Sequence, residues 1–297
     1  MKKIAPFKTI LAVFFSFFVA FTATARNIPA LATTDWVAKN LTAPGLVILD
    51  IRKVEYYRAG HIPNAINAFY GSWAFKKVDL YTEIPEIDDL FDMIGAAGIK
   101  LDSRVVIVGK TDTPQERVAM ARVACTLQYA GIDDVAILDG GHNKWTKENR
   151  PQSTRTVKPR KTNFMGRINK NIFVKKDYVI NRLDKVIMLD VRDPAFFSGK
   201  KKVDFIQKAG HISGAVNLPT AWSFTNGGTF KDKTTLAALA AEAVGADLSK
   251  EIITYCDTGK CCPTWRYLLK EVLDYQNVFL YDGSIEEWSR DPEAPMQ

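Results

Sequence analysis

Cysteine is scarce in this 297-residue chain, and the placement of its four copies excludes a disulfide framework. Cys125 stands alone in an apolar helical run, while Cys256, Cys261 and Cys262 crowd into seven residues. Structural zinc sites draw on two separated ligand pairs, and here the second pair is missing. Charge of one sign is lacking too. Lys and Arg number 40 against 33 Asp and Glu, a formal charge of +7, and no basic stripe with interleaved aromatics accompanies the excess. Nucleic acid is therefore not an expected partner. The apolar run Ile10 to Phe21 is also too short to cross a bilayer comfortably, which takes about 20 residues.

What that run does carry is a secretory signature. Lys2, Lys3 and Lys8 precede it and Ala23-Thr24-Ala25 follows, so residues 1–25 read as a signal peptide cut after Ala25 and the protein as exported, into the periplasm. No stable membrane span is expected after cleavage. Loss of the three lysines lowers the formal charge to +4, a mild excess that favours small anions. With 47% apolar and 25% charged residues, the remainder has the composition of a globular protein. Its length suits two domains of about 100 to 150 residues each.

The chain is written twice. VILDIRKVEYYRAGHIPNAINAF, from Val47, returns from Ile187 as IMLDVRDPAFF, an insertion, and AGHISGAVNLP. Asp50, Arg52, Gly60, His61, Ala65 and Asn67 thus correspond to Asp190, Arg192, Gly210, His211, Ala215 and Asn217. RVVIVG at Arg104 matches EIITYC at Glu251, and the runs VAILDGG and VFLYDG end at Asp139 and Asp282 ahead of Trp145 and Trp288. Strands alternating with helices predict an α/β fold, each half a mostly parallel sheet with helices on both faces. The predicted division is 26–150 for the first domain, 151–170 for a polar, basic linker, and 171–297 for the second domain. Because Asp190 and His211 recur as Asp50 and His61, both pairs are expected to be structural. The insertion from Phe197 to Lys208 is either an anion-steering element or a solvated lysine-rich loop.

The chemistry concentrates after the EIITY strand, in Cys256-Asp257-Thr258-Gly259-Lys260-Cys261-Cys262, followed by the helical run PTWRYLLKEVL. A cysteine between a strand and a helix faces free backbone amides and the positive end of the helix dipole, both of which favour a thiolate. Gly259 permits the tight turn. Three clustered thiols also leave open a soft-metal site or a redox loop that cycles a disulfide. In the first half the position of Cys256 is held by Gly109, and no cysteine falls in that loop.

The two LD-x-R strands, the two AGHI-x-x-A-x-N segments, the six-residue cysteine loop and the paired DG turns together resemble the rhodanese family of sulfurtransferases, in its tandem form, over nearly the whole mature chain. The resemblance implies two rhodanese-like domains, the first catalytically silent. It further implies that Cys256 attacks a sulfane donor, becomes a persulfide and passes the outer sulfur to a thiophilic acceptor such as cyanide, a small thiol or a protein thiol, without a cofactor or metal. Loop residues Asp257, Thr258, Gly259 and Cys261 would surround the charged sulfur. Arg192 matches a position used near the donor's anionic group, with an ion pair to Asp190 as the competing reading. Lys260 is a second candidate donor contact. Related phosphatases carry an arginine where this chain has Cys262, so phosphate loses its forked clamp. Lys260 and the mild positive charge favour an anionic donor such as thiosulfate over 3-mercaptopyruvate. Cys261 is a candidate resolving thiol that releases sulfide from the persulfide and leaves a disulfide.

Overall fold

The computed structural model describes residues 26–297; the signal-peptide expectation falls on residues 1–25, outside the described residues. Among the described residues no helix is long and apolar enough to cross a membrane.

The first half contributes β1 (Leu31–Ala32), β2 (Leu46–Asp50), β3 (Ile66–Asn67), β4 (Phe75–Lys77), β5 (Leu80–Glu83), β6 (Arg104–Val108) and β7 (Val135–Leu138). The second contributes β8 (Phe173–Val174), β9 (Ile187–Asp190), β10 (Val216–Asn217), β11 (Glu251–Tyr255) and β12 (Asn277–Tyr281). The sheets run β1-β7-β6-β2-β3 and β8-β12-β11-β9-β10, all parallel, in the same spatial order. The duplication is therefore one of topology as well as of sequence. β4 and β5 form an antiparallel hairpin present only in the first half.

Strands such as VVIV and IIT are apolar on both faces because both faces are covered. Outward residues of the first sheet, Ile48, Val106 and Leu138, pack with Trp145, and those of the second, Met188 and Ile253, with Trp288. Inward residues of both sheets share one central core, in which Leu49, Ile107 and Val123 join Leu189, Ile252, Trp265 and Leu268. Across this core the helix Pro114–Tyr129 meets the helix Pro263–Tyr267, whose last turn passes into a π-helical stretch, Leu268–Val272. Polar groups stitch the same seam. Arg266 Nη1 donates to Gln128 Oε1 at 2.6 Å, and Tyr267 Oη lies within hydrogen-bond distance of two carbonyls that share its one proton, Val135 at 2.7 Å and Ala30 at 2.9 Å.

The duplicated polar residues form one latch built twice. Arg52 binds Asp50 through Nε and Nη2 and the Gly60 carbonyl at 2.8 Å; Arg192 binds Asp190 and the Gly210 carbonyl at 2.7 Å in the same way. His61 stacks on Tyr57 and contacts its carbonyl through Nδ1, and His211 does the same with Phe197, each with ring centroids 3.8 Å apart. Asn67 and Asn217 each donate to two carbonyls at the adjoining strand end, those of Asp50 and Arg52 and of Asp190 and Arg192. These residues fix strand ends, as their repetition implied.

The repeat runs slightly past residue 150. His61 pairs by backbone with Ser153 as His211 pairs with Gln297, and Trp145 Nε1 donates to the Pro151 carbonyl as Trp288 Nε1 donates to that of Pro295. The rest of the linker, without helix or strand, is not a free crossing. Phe164 is buried, and Thr162, Arg167 and Asn169 donate backbone bonds to Gly95, Ala130 and Tyr129. In the insertion, Lys208 Nζ is taken up by the carbonyls of Asp291 and Pro292 and Lys202 Nζ by that of Ile206. Phe205 meets Tyr81 of the hairpin at 5.0 Å, so this loop braces the two halves rather than only trailing in solvent.

The matched glycines of the latch differ in one respect. Gly210 has φ +104°, and a Cβ there would press on the Gln297 backbone, whereas Gly60 is extended at φ 166° and a Cβ would meet only the Gln152 side chain. Gly210→Ala is expected to cost about 1–3 kcal/mol in thermal or urea unfolding and Gly60→Ala distinctly less; equal losses would contradict this account.

Candidate active site

β11 ends at Tyr255 and the next residue, Cys256, is 1% exposed. Its backbone N–H donates to Ser284 Oγ at 3.2 Å, and the Gly259 N–H donates to the same oxygen at 3.1 Å, so one buried hydroxyl ties both sides of the loop together. The carbonyls of Cys256 and Asp257 accept from the N–H groups of Ile285 and Glu286. With its outer polar groups engaged in this way, the loop turns the Cys261 N–H onto Cys256 Sγ at 3.3 Å. Gly259 takes φ +77° where a Cβ would crowd Asp282, its carbonyl oxygen at 2.7 Å, which explains the glycine.

All four cysteines are free thiols. Burial opposes charge on Cys256, yet the thiols of Cys261 and Cys262 and the backbone amides of both outweigh it and hold the Cys256 thiol well below the usual range. Hydrogen bonding to Cys256, then burial, pushes Cys261 well above that range; burial and the same kind of bond do so for Cys262. These opposed shifts favour charge on Cys256, with its two neighbours as donors. Among the described residues no three His, Cys, Asp or Glu side chains converge as metal ligands.

Asp257 accepts from Arg192 Nη1 at 3.3 Å, and its carboxyl is raised to about 6 by burial and by the Cys256 charge, against the pull of Arg192. Arg192 is otherwise taken up by Asp190 and Gly210. The ion-pair arrangement is thus the one present, and Arg192 meets the cysteine loop through Asp257. Lys260 lies over the ring of Tyr70 at 5.8 Å, at the seam between the halves. Thr258 Oγ1 contacts Thr82 Oγ1 of the hairpin at 3.1 Å.

Several residues escaped the sequence reading. Arg122, fully buried in the helix Pro114–Tyr129, forms a forked pair with Asp282 and donates to the carbonyls of Gly259, at 3.1 Å, and Thr82. It clamps the cysteine loop, the DG turn and the hairpin together across the domain seam. Its signal was an arginine inside an otherwise apolar helical stretch. Tyr70, from the first half, packs against the cluster holding Cys256 and Cys262 with its Oη buried and, among the described residues, without a partner, and burial pushes its phenol up to about 12. Nothing in its local sequence marks it.

The matching loop of the first half is built differently. A Cβ on Gly109 would lie 2.8 Å from Met120 Cγ, so the methionine takes up the sulfur's place. Thr113 and Glu116 form a capping box that satisfies the first amides of the following helix. No side-chain cap is present at the helix Pro263–Tyr267, leaving the loop amides for Cys256.

If these donors set the charge on Cys256, its alkylation by iodoacetamide should persist at pH values well below the ordinary thiol range, and Cys261→Ala should move the profile upward by about one unit. Mass mapping of the modified cysteine checks it, and a profile unmoved by Cys261→Ala would refute the assignment.

Comparison with known proteins agrees with this architecture. A rhodanese-like domain matches twice, over residues 33–148 and 175–291. A Mycolicibacterium smegmatis protein named "Putative thiosulfate sulfurtransferase" is 33% identical over 280 residues, covering 90% of this chain and 97% of that one. The sulfur carrier protein TtuD of Thermus thermophilus is 31% identical over 274 residues, covering 87% and 93%. Among solved structures, YnjE superposes with a TM-score of 0.78 at 22% identity over 90% of this chain and 68% of that one. EanB, solved as a cysteine persulfide with ergothioneine, gives 0.77 at 22% identity over 90% and 70%. At these identities the two structures attest the fold alone. With both halves matched and the loop, latch and DG turns repeated in register, the chain belongs to the rhodanese family, as a tandem of two rhodanese-like domains.

Proposed function

We propose that this protein is a sulfurtransferase that moves sulfane sulfur from a small anionic donor, thiosulfate foremost and 3-mercaptopyruvate second, to a thiophilic acceptor through a persulfide on Cys256. The observation that carries this reading is the buried Cys256 Sγ just past the end of β11, which accepts from the Cys261 N–H at 3.3 Å in a loop that Ser284 ties together. Nucleophilic attack by Cys256 Sγ on the outer sulfur of thiosulfate forms the S–S bond and expels sulfite with the electron pair of the broken bond. The terminal sulfur then carries the charge and takes over the amide and thiol donors of the loop. An acceptor thiolate or cyanide attacks that terminal sulfur and returns Cys256 as a thiolate. The relatives named for thiosulfate sulfur transfer and for sulfur carriage support the donor and the carrier role.

Lys260 is the loop cation available to the donor, while Arg192 acts through Asp257. Cys261 is the resolving candidate: attack on Cys256 Sγ would form the Cys256–Cys261 disulfide and release hydrosulfide. The signal-like segment at residues 1–25 supports an exported, periplasmic site of action.

Two outcomes test this. Incubation with thiosulfate should add the mass of one sulfur atom to Cys256, and Cys256→Ala should abolish both the adduct and transfer to cyanide. Loss of two hydrogens without an adduct would favour a redox loop instead. For the second, a charged Asp257 repels an anionic donor and a protonated one does not. Because its carboxyl lies at about 6, kcat/KM for thiosulfate should fall, by about tenfold, as pH rises through that value. In Asp257→Asn this decline should vanish, so a variant that keeps it would exclude Asp257 as its source.

A further inference from the structure

The silent half keeps the latch but changes what the latch arginine faces. In the second half the three guanidinium nitrogens of Arg192 are all engaged, Nη1 by Asp257 immediately after the cysteine. In the first half the residue in Asp257's place is Lys110. Arg52 repeats the bonds to Asp50 and Gly60, yet its Nη1 finds no acceptor among the described residues, although Arg52 is only 7% exposed. That nitrogen is not sealed from solvent, so it is free to donate to whatever occupies the space beside it.

That arginine lines a pocket of about 260 Å³. Lys53, Lys110 and Lys260 also line it, against a single lining carboxylate, Glu116, which is committed to its capping box with Thr113. Lys110 also touches Asp112 at 2.8 Å and Glu116 at 3.5 Å, and it lies over the Tyr56 ring at 4.5 Å, which keeps its ammonium at the wall. Tyr56, Phe69 and Tyr70 supply the apolar sides. Lys260 reaches in from the cysteine loop of the other half. The volume is small for a drug-sized ligand and suits a group of a few heavy atoms.

We propose that this pocket over the degenerate loop is a binding site for a small oxyanion, a sulfur oxyanion or a carboxylate, which accepts from Arg52 Nη1 and is flanked by Lys110 and Lys260. Replacement of an acid by a lysine at position 110 has exchanged an internal acceptor for an external one. The site does not involve Cys256. Because Lys260 belongs to both the pocket and the cysteine loop, occupancy here and donor binding at Cys256 share one cation.

The test restores the acceptor that the second half supplies to its own arginine. Isotope-labelled protein is titrated with sulfate and, separately, with propionate, neither of which donates sulfane sulfur, and the amide resonances of Gly109, Lys110 and Ala119 are followed. Saturable shifts with one anion or both are expected, and the stronger binder identifies which class the pocket prefers. Lys110→Asp should weaken binding at least about tenfold, the scale of one charge-assisted hydrogen bond. Cys256→Ser should bind as the wild type does, whatever becomes of the persulfide reading. Lys110→Ala and Lys260→Met, which only remove a cation, should weaken binding by smaller factors and serve if Lys110→Asp does not fold. Absence of saturable shifts in the wild type, affinity unchanged in a folded Lys110→Asp, or affinity unchanged in both Lys110→Ala and Lys260→Met would overturn the proposal.

Discussion

The cysteine loop of the second half is organised around one buried sulfur, Cys256 Sγ, which accepts the Cys261 N–H where almost no water reaches it. Desolvation works against charge on Cys256, and the contributions that overcome it are hydrogen-bond donors, the amides and thiols of Cys261 and Cys262. Those donors are effective only if the loop cannot relax away from the sulfur. Ser284 ties its two sides, Gly259 takes a left-handed backbone shape where a Cβ would crowd Asp282, and Arg122 holds the Gly259 carbonyl and Asp282 from the opposite domain. A charge on sulfur is thereby sustained by rigidity elsewhere.

This arrangement explains why a domain without a cysteine in its loop is retained. The first half supplies Arg122, the hairpin that carries Thr82, and Tyr70 beside the sulfur cluster. The central core is continuous through both sheets, so the helices that follow β6 and β11 are packed against each other and the loops at their starts are brought to one seam. The two halves differ locally at this loop, where the first has Gly109 with Met120 behind it and a capping box in front, while the latch of Asp50, Arg52 and Gly60 matches that of the second half. The retained latch without its second carboxylate is what leaves a cationic pocket beside the working loop.

Much of this was legible before any coordinates. The alternation of strands and helices, the duplication and the place of Cys256 between a strand and a helix follow from local patterns: apolar runs of strand length, paired LD-x-R and AGHI segments, and a proline at the start of the helix that follows the loop. The repeated aspartates and histidines were also readable as scaffold, because they recur in the half whose loop has no cysteine. The roles of Arg192 and of the insertion were less so. Whether a guanidinium faces a carboxylate or open space depends on which neighbours the fold delivers, and here the neighbours are Asp190, Gly210 and Asp257.

What the sequence determined by itself is therefore the set of units and the place of Cys256 between a strand and a helix, since strand periodicity, turn chemistry and helix starts are encoded by residues close together in the chain. What tertiary structure alone decided is the environment of that cysteine. Arg122 stands 40 residues from Thr82 and 160 from Asp282 along the chain, and a lone buried arginine or tyrosine carries no mark in sequence of the partner it will meet. Lengthwise pattern specifies elements, but electrostatics falls off with distance in space, so only the packed molecule sets which sulfur bears the charge.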